Sequence, residues 1–187
     1  QGRAPGPGNL GVVRARRFSP AGKPLGPDFD VNTFPIGDGS MLPSDSTTAA
    51  DPGGGFAVAW VFNQTLYVRF FDAAAKPLGP AVAAGTAEHA FSPVSMAFDT
   101  AGNLLVLCLF RDFSHAPEID DLQIQLLDPH GLALGPPESV ASAASAPHSQ
   151  PFQGSVVWAG DSWLVTWAAN DPHNLTSAIF VRRFAAQ

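Results

Sequence analysis

Three kinds of short segment recur along the chain, told apart by how apolar and polar positions are spaced. Residues 56–60, 104–110 and 163–167 are apolar at nearly every position, as a strand must be when both faces are covered. Each follows a turn rich in Gly, Asp or Asn (52–55, 100–103, 159–161), and before each turn lies another short run, at 46–50, 94–98 and 155–158. Residues 13–18, 67–71, 124–127 and 180–184 alternate more strictly and carry most of the arginines. Runs this short, bounded by Gly, Asp or Pro and rich in β-branched or aromatic residues, read as strands joined in hairpins. No long window has the Glu, Lys, Leu and Arg content of a helix.

The first three copies of the alternating segment run into a turn and then a Leu-Gly-Pro signature, at Leu25-Gly26-Pro27, Leu78-Gly79-Pro80 and Leu134-Gly135-Pro136. The glycines stand 53 and 56 residues apart; the closing positions Phe18, Phe71, Leu127 and Phe184 stand 53, 56 and 57 apart. Gly supplies the positive φ of a tight turn, and Pro suits entry to an outer strand that can lose a donor. The copies depart from one another in places: Ala74-Ala75 stands where the turn glycine is expected, and Leu132-Ala133 replaces the Lys-Pro pair.

Each unit therefore reads as strand 1, hairpin, strand 2, loop, strand 3, Gly/Pro turn, strand 4. Four-stranded meanders with a period of roughly 50 residues are the sequence mark of propeller blades. The expected fold is all-β: a β-propeller-like array of four-stranded antiparallel blades, about three in this chain. It forms one repeat domain, with a partial blade at 11–33, blades at 45–84 and 93–141, and a partial blade at 154–184. A closed ring needs at least ~4 blades, so either the chain is a piece of a longer one or its blades are completed by another copy, as in a two-copy ring of about six. Open edges at 12–18 and 179–184 would invite strand pairing and self-assembly. A start at Gln1 is what a processed product or a fragment would show.

Residues 68–80 and 54–60 carry a pattern, Val-x-Arg-Phe followed by Pro-Leu-Gly-Pro and by Gly-Gly-Phe-x-Val-x-Trp, that resembles tandem β-propeller-type repeats of large secreted or surface bacterial proteins. Weaker copies extend the resemblance over most of the chain. It implies a propeller fold and an extracytoplasmic place (secreted, periplasmic or cell-surface), but no catalytic residues, since those repeats have mixed functions. Kelch and sialidase-type motifs are not matched.

Composition narrows the functions. Hydrophobic residues make up 45% of the chain and charged ones 14%, which places it among folded proteins. A net charge of −6, with Arg14, Arg16, Arg17, Arg69, Arg182 and Arg183 inside strands where they would solvate an outer face, argues against nucleic acid. No apolar stretch approaches the ~20 residues of a membrane span. The single cysteine, Cys108, rules out an internal disulfide and reads as a buried small hydrophobe rather than a catalytic thiol. The sequons at Asn63 and Asn174 read as accidental in an Ala/Gly/Pro-rich chain of bacterial character.

By analogy with propellers, ligands use the end where strand 4 joins the next strand 1 and strand 2 joins strand 3. Those connections are expected at 33–45, 84–93, 141–153, 61–66, 110–121 and 168–178. They hold His89, His115, His148 and His173, whereas His130 lies on the opposite turn. Asp112, Glu118, Asp120, Asp121 and Asp171 join them, so the candidate ligand-binding set is Asp112, His115, Glu118, Asp171, His173, His89 and His148. Oxygen donors on an acidic loop would suit Ca²⁺, although no EF-hand or zinc spacing is present and no cofactor is otherwise implied. The blander explanation is that polar residues gather in loops because loops are wet.

Nucleophile elbows and phosphate-cradling loops are absent, and Asp120 and Asp121 would point to opposite faces of a strand. Trp60, Trp158, Trp163 and Trp167 recur at strand positions and read as packing between blades, leaving Phe91, Phe113 and Phe152 as loop aromatics for sugar stacking. The sequence thus points to a non-enzymatic extracytoplasmic module that binds a protein or glycan or builds a surface assembly. The alternative is a propeller hydrolase or lyase using the His/Asp-rich loop end.

Overall fold

The computed structural model describes residues 12–32, 44–84, 90–112, 119–142, 151–170 and 177–185. Among them there are thirteen strands and no helix. Sheet 1 pairs β1 (Arg14–Ala15) with β2 (Phe29–Asp30). Sheet 2 is the meander β3 (Ser44–Ala50), β4 (Phe56–Phe62), β5 (Thr65–Phe71), β6 (Val82–Ala83). Sheet 3 repeats that order with β7 (Ala90–Phe98), β8 (Leu104–Asp112), β9 (Ile119–Leu127) and β10 (Glu138–Ser142). Sheet 4 contains β11 (Pro151–Trp158), β12 (Ser162–Asn170) and β13 (Ser177–Ala185). Every pairing is antiparallel, and the chain is all-β.

The turns explain why these registers form. In sheet 2 the strand 1 to strand 2 turn is closed by Asp51 N–H to Gly55 O, at 2.9 Å, and the Asp51 carboxylate takes the Gly53 N–H at 2.8 Å. Asp99 does the same in sheet 3, accepting from Ala101 and Asn103, both at 2.8 Å. After strand 3, Ser19, Asp72 and Asp128 each begin a turn whose fourth residue is left-handed: Gly22 (φ 73°), Ala75 (φ 65°) and Gly131 (φ 85°). Ala75 thus adopts the conformation that glycine takes in the two sister turns. The connection expected as a loop at 61–66 is instead a tight two-residue hairpin turn, because Asn63 and Gln64 both accept positive φ (49° and 62°) and let β4 run straight into β5.

Alternate residues of the second strands feed different cores. From β4, Val58 and Trp60 pack with Val31 and Phe71 between sheets 1 and 2. Ala57, Ala59 and Val61 instead join Leu66, Val68, Met96 and Phe98 between sheets 2 and 3. From β8, Leu104, Val106 and Cys108 enter that same core, whereas Leu105, Leu107 and Leu109 face Val156, Trp163 and Val165 of sheet 4. This double coverage is why the second strands are apolar throughout. The sheets are therefore stacked face to face in chain order. Among the described residues no core joins sheet 1 to sheet 4, so a closed ring is not among the observed contacts.

Sheet 4 is covered on one side. In β12 the inner positions Trp163, Val165 and Ala169 are buried, while the outer Thr166 is exposed. On β13, Ile179 is 84% and Val181 66% exposed.

Candidate functional site

The strand registers locate the end of each sheet on which the sequence places a site. In sheet 3, Ala90 lies opposite Phe110, Asp112 opposite Ile119, and Ser142 opposite Asp121. The strand ends Ala90, Asp112, Ile119 and Ser142 therefore all lie at one end of sheet 3. In sheet 4, Pro151 opposite Ala169 and Asn170 opposite Ser177 mark the corresponding end. Each first strand also carries a register shift near this end, at Ser44/Ser46, Ala90/Ser92 and Phe152/Gly154. Of the candidate ligand-binding residues, Asp112 is the last residue of β8. Its side chain, together with His89, His115, Glu118, His148, Asp171 and His173, lies outside the described residues. Among the residues that are described, no group of three or more His, Cys, Asp or Glu is placed to hold a metal ion. Phe91 and Phe152 fall within β7 and β11, not in loops, because strand pairing starts earlier than the apolar runs suggest; Phe113 lies outside the described residues.

Asp120 and Asp121 do face opposite ways, and both are engaged. Asp120 is 2% exposed and takes a forked ion pair from Arg111, with Nε to Oδ1 at 2.6 Å and Nη2 to Oδ2 at 3.1 Å. The two residues sit directly across the β8–β9 ladder. Asp121 instead accepts from Gln123 Nε2 and from Ser139 Oγ, both at 2.6 Å. These carboxylates brace the root of the 113–118 connection. The Arg111–Asp120 pair was legible in principle: two opposite charges flanking a loop of six residues meet when the flanking strands form a hairpin.

Arg69 corrects the expectation that strand arginines only solvate an outer face. It is 8% exposed; Nη1 donates to Val31 O at 2.6 Å across the sheet boundary, and Nε donates to Gly79 O at 3.2 Å. The second bond recurs. Arg16 Nε reaches Gly26 O at 3.2 Å, and Gln125 Nε2 reaches Gly135 O at 2.9 Å. In each unit the residue two before the closing position holds the carbonyl of the signature glycine ten residues on. Arg182, at the same position in sheet 4, reaches back to sheet 3 through Ser139 O (3.4 Å) and Glu138 Oε1 (3.1 Å).

A cavity of about 330 Å³ opens beside that contact, lined by Leu105, Ile124, Gln125, Glu138, Trp163 and Phe184 among others. Its lining is mostly apolar, with one carboxylate (Glu138), one amide (Gln125) and one guanidinium (Arg183), which suits a small contact surface better than acid–base chemistry. Trp163 is 2% exposed and meets Trp158 edge-on at 4.7 Å, so it packs the sheet 3–sheet 4 junction. Trp60, also fully buried, stacks on Tyr67 at 5.8 Å, and Trp167 stacks on Phe180 at 5.5 Å. Cys108 is buried too; its thiol donates to Ser92 O at 3.2 Å, and burial pushes its pKa far above that of a free thiol. A thiol held in the protonated form is no nucleophile. At the exposed turn of sheet 4, the Ser162 hydroxyl, with the Arg183 guanidinium, holds the Asp161 carboxyl below the usual range.

No known protein family matches this chain, and no curated protein matches it. Among solved structures it is similar to a protein of unknown function from Bacteroides caccae, at 12% identity and a TM-score of 0.27, over 84% of this chain. The chain spans 65% of the length of that protein.

Proposed function

We propose that this chain is a run of propeller-type blades from an extracytoplasmic bacterial protein, serving as a non-enzymatic module that assembles with, or binds, a protein or glycan. The observation that carries the reading is β13, on which Ile179 and Val181 lie 84% and 66% exposed. Branched apolar side chains held side by side on the outer face of a strand suit docking of a partner. The propeller reading is supported by two four-stranded meanders of the same order, stacked through their faces. It is also supported by the recurring side-chain bond to the signature glycine.

Sedimentation of the purified chain across a concentration series, together with a glycan array, tests the proposal. Concentration-dependent mass or a retained glycan is expected. A strict monomer that retains no glycan and captures no protein overturns it.

A further inference from the structure

The hairpin that joins β4 to β5 carries an acceptor triplet for a sugar at its tip. Asn63-Gln64-Thr65 is an Asn-x-Thr sequon, the pattern that glycosyl transfer to an asparagine amide requires. Composition alone makes it read as accidental; its place in the fold says more. Asn63 and Gln64 are the two central residues of the turn, at φ 49° and 62°, and two positive values in succession mark a type I′ turn. Asn63 is exposed there. The second sequon, at Asn174, lies outside the described residues.

The pair that closes the turn matters as much as the triplet. Phe62 lies directly opposite Thr65, so both side chains stand on one face of the hairpin, with Trp60 and Tyr67 next along it. Trp60 and Tyr67 stack at 5.8 Å, and Phe62 packs half-buried against the core between sheets 1 and 2. A pyranose ring has a face made of C–H groups, and such a face rests well on a partly open phenyl ring. The Asn63 amide begins one residue from that ring.

The order of synthesis leaves time for transfer. A lone two-stranded hairpin is marginal in water. The face of this one that carries Ala57, Ala59, Leu66 and Val68 is covered only by Met96, Phe98, Leu104 and Val106 of the next sheet. Those residues follow Thr65 by about 30–40 positions, some seconds of synthesis. The sequon is therefore held open while the chain emerges and is fixed in the turn afterwards.

We infer that Asn63 carries an N-linked sugar taken from a diphosphate-activated donor, and that Phe62 and Thr65 form its seat. In the transfer, Asn63 Nδ2 gives one proton to a base of the transferase and bonds to the anomeric carbon of the sugar. The bond from that carbon to the diphosphate oxygen breaks, and the diphosphate leaves with the electron pair. No oxidant or reductant is consumed. The carrier on the diphosphate is a polyprenol or a nucleoside, and the transferred mass tells the two apart. With a polyprenol carrier the inference rests on the extracytoplasmic placement proposed above.

The test is made on the chain isolated from the cells that produce it. The tryptic peptide ending at Arg69 contains Asn63 and not Asn174, so its mass reports this site alone. Added mass is expected: a single hexose identifies the nucleoside carrier, a preassembled oligosaccharide the polyprenol carrier, and either supports the inference. Asn63→Gln and Thr65→Ala are expected to abolish the addition completely, and Thr65→Ser to keep it. Added mass that survives Asn63→Gln belongs to another residue and overturns the assignment. An unmodified peptide overturns the inference as a whole, while the assembly-or-binding reading is still decided by its own sedimentation and array measurements. The seat has a separate readout. The glycosylated chain should melt at a higher temperature than Asn63→Gln, and the difference should vanish when both carry Phe62→Ala. A difference that persists without the ring overturns the role given to Phe62.

Discussion

Arg69 Nη1 lies 2.6 Å from the carbonyl oxygen of Val31, so a side chain of sheet 2 closes a hydrogen bond that the backbone of sheet 1 leaves open. The same guanidinium holds Gly79 O, and its plane lies over Phe71. One buried cation thus ties strand 3 to its own turn and to the preceding sheet.

Replacing Arg69 by Ala removes both donors and leaves the Val31 carbonyl buried without its partner. The expected loss is about 2–4 kcal/mol in urea unfolding, since stranding a buried polar group adds its desolvation cost to the lost bonds. Arg16→Ala, which breaks only an exposed bond to Gly26 O, should cost less than about 1 kcal/mol. Arg69→Lys should fail to restore stability, because a single ammonium cannot reproduce the forked reach of guanidinium. Equal effects at positions 16 and 69 would contradict the cross-sheet role.

Ala75 is the residue to exchange for a gain. With φ at 65° it sits where the sister turns use Gly22 and Gly131. Ala75→Gly is expected to raise stability by roughly 0.5–1 kcal/mol, the relief of Cβ strain exceeding the added freedom of the unfolded chain. The reverse exchange, Gly131→Ala, should destabilise more strongly, because its Cβ would stand 2.9 Å from Val82 Cγ2 as well as in a left-handed backbone. Melting temperatures of the two variants should move in opposite directions.

Asp120→Ala strips the carboxylate from Arg111, whose side chain is 26% exposed, and is expected to cost about 1–3 kcal/mol. Replacing both partners, Arg111→Met with Asp120→Leu, should recover most of that loss, because the desolvation of two charges is removed together. A double-mutant cycle by chemical denaturation measures the difference. Additive single and double effects would show that the pair is not coupled.

The Cys108 thiol is held protonated by burial. Its folded pKa is raised, so the native state keeps a proton that the unfolded chain gives up above the ordinary thiol value of ~8.5. Stability from this group is therefore full at neutral pH and falls as pH rises past that value. Thiol-specific labelling at pH 8 should proceed only at the rate of opening, and Cys108→Ala should flatten the alkaline limb of the pH–stability curve.

Much of this architecture could be read from spacing alone. The glycines at 26, 79 and 135 and the closing positions at 18, 71, 127 and 184 mark the ends of strand 3 in every sheet, and the sheets of two, four, four and three strands follow from them. Strand lengths were less legible. Pairing continues through Asp112 and Asn170, where hydrophobicity has already faded, since a ladder needs backbone partners more than apolar side chains. Arg69 was misjudged because charge predicts exposure in general, and only its carbonyl partners, 38 residues upstream at Val31 and ten downstream at Gly79, make burial affordable. The registers of β7 to β10 put Ala90, Asp112, Ile119 and Ser142 at one end of sheet 3, which periodicity alone could indicate only in outline.

The apolar character of β8 at both parities has a consequence for how the chain finds its fold. Sliding β8 by one residue would swap Leu104, Val106 and Cys108 with Leu105, Leu107 and Leu109, and the exchange would cost little in hydrophobicity because both sets are greasy. Discrimination against that slip must come from the strand's two ends. Asp99 fixes one through its grip on Ala101 and Asn103, and Arg111 meeting Asp120 fixes the other. Polar residues at the rim of a wholly oily strand act as its proofreaders.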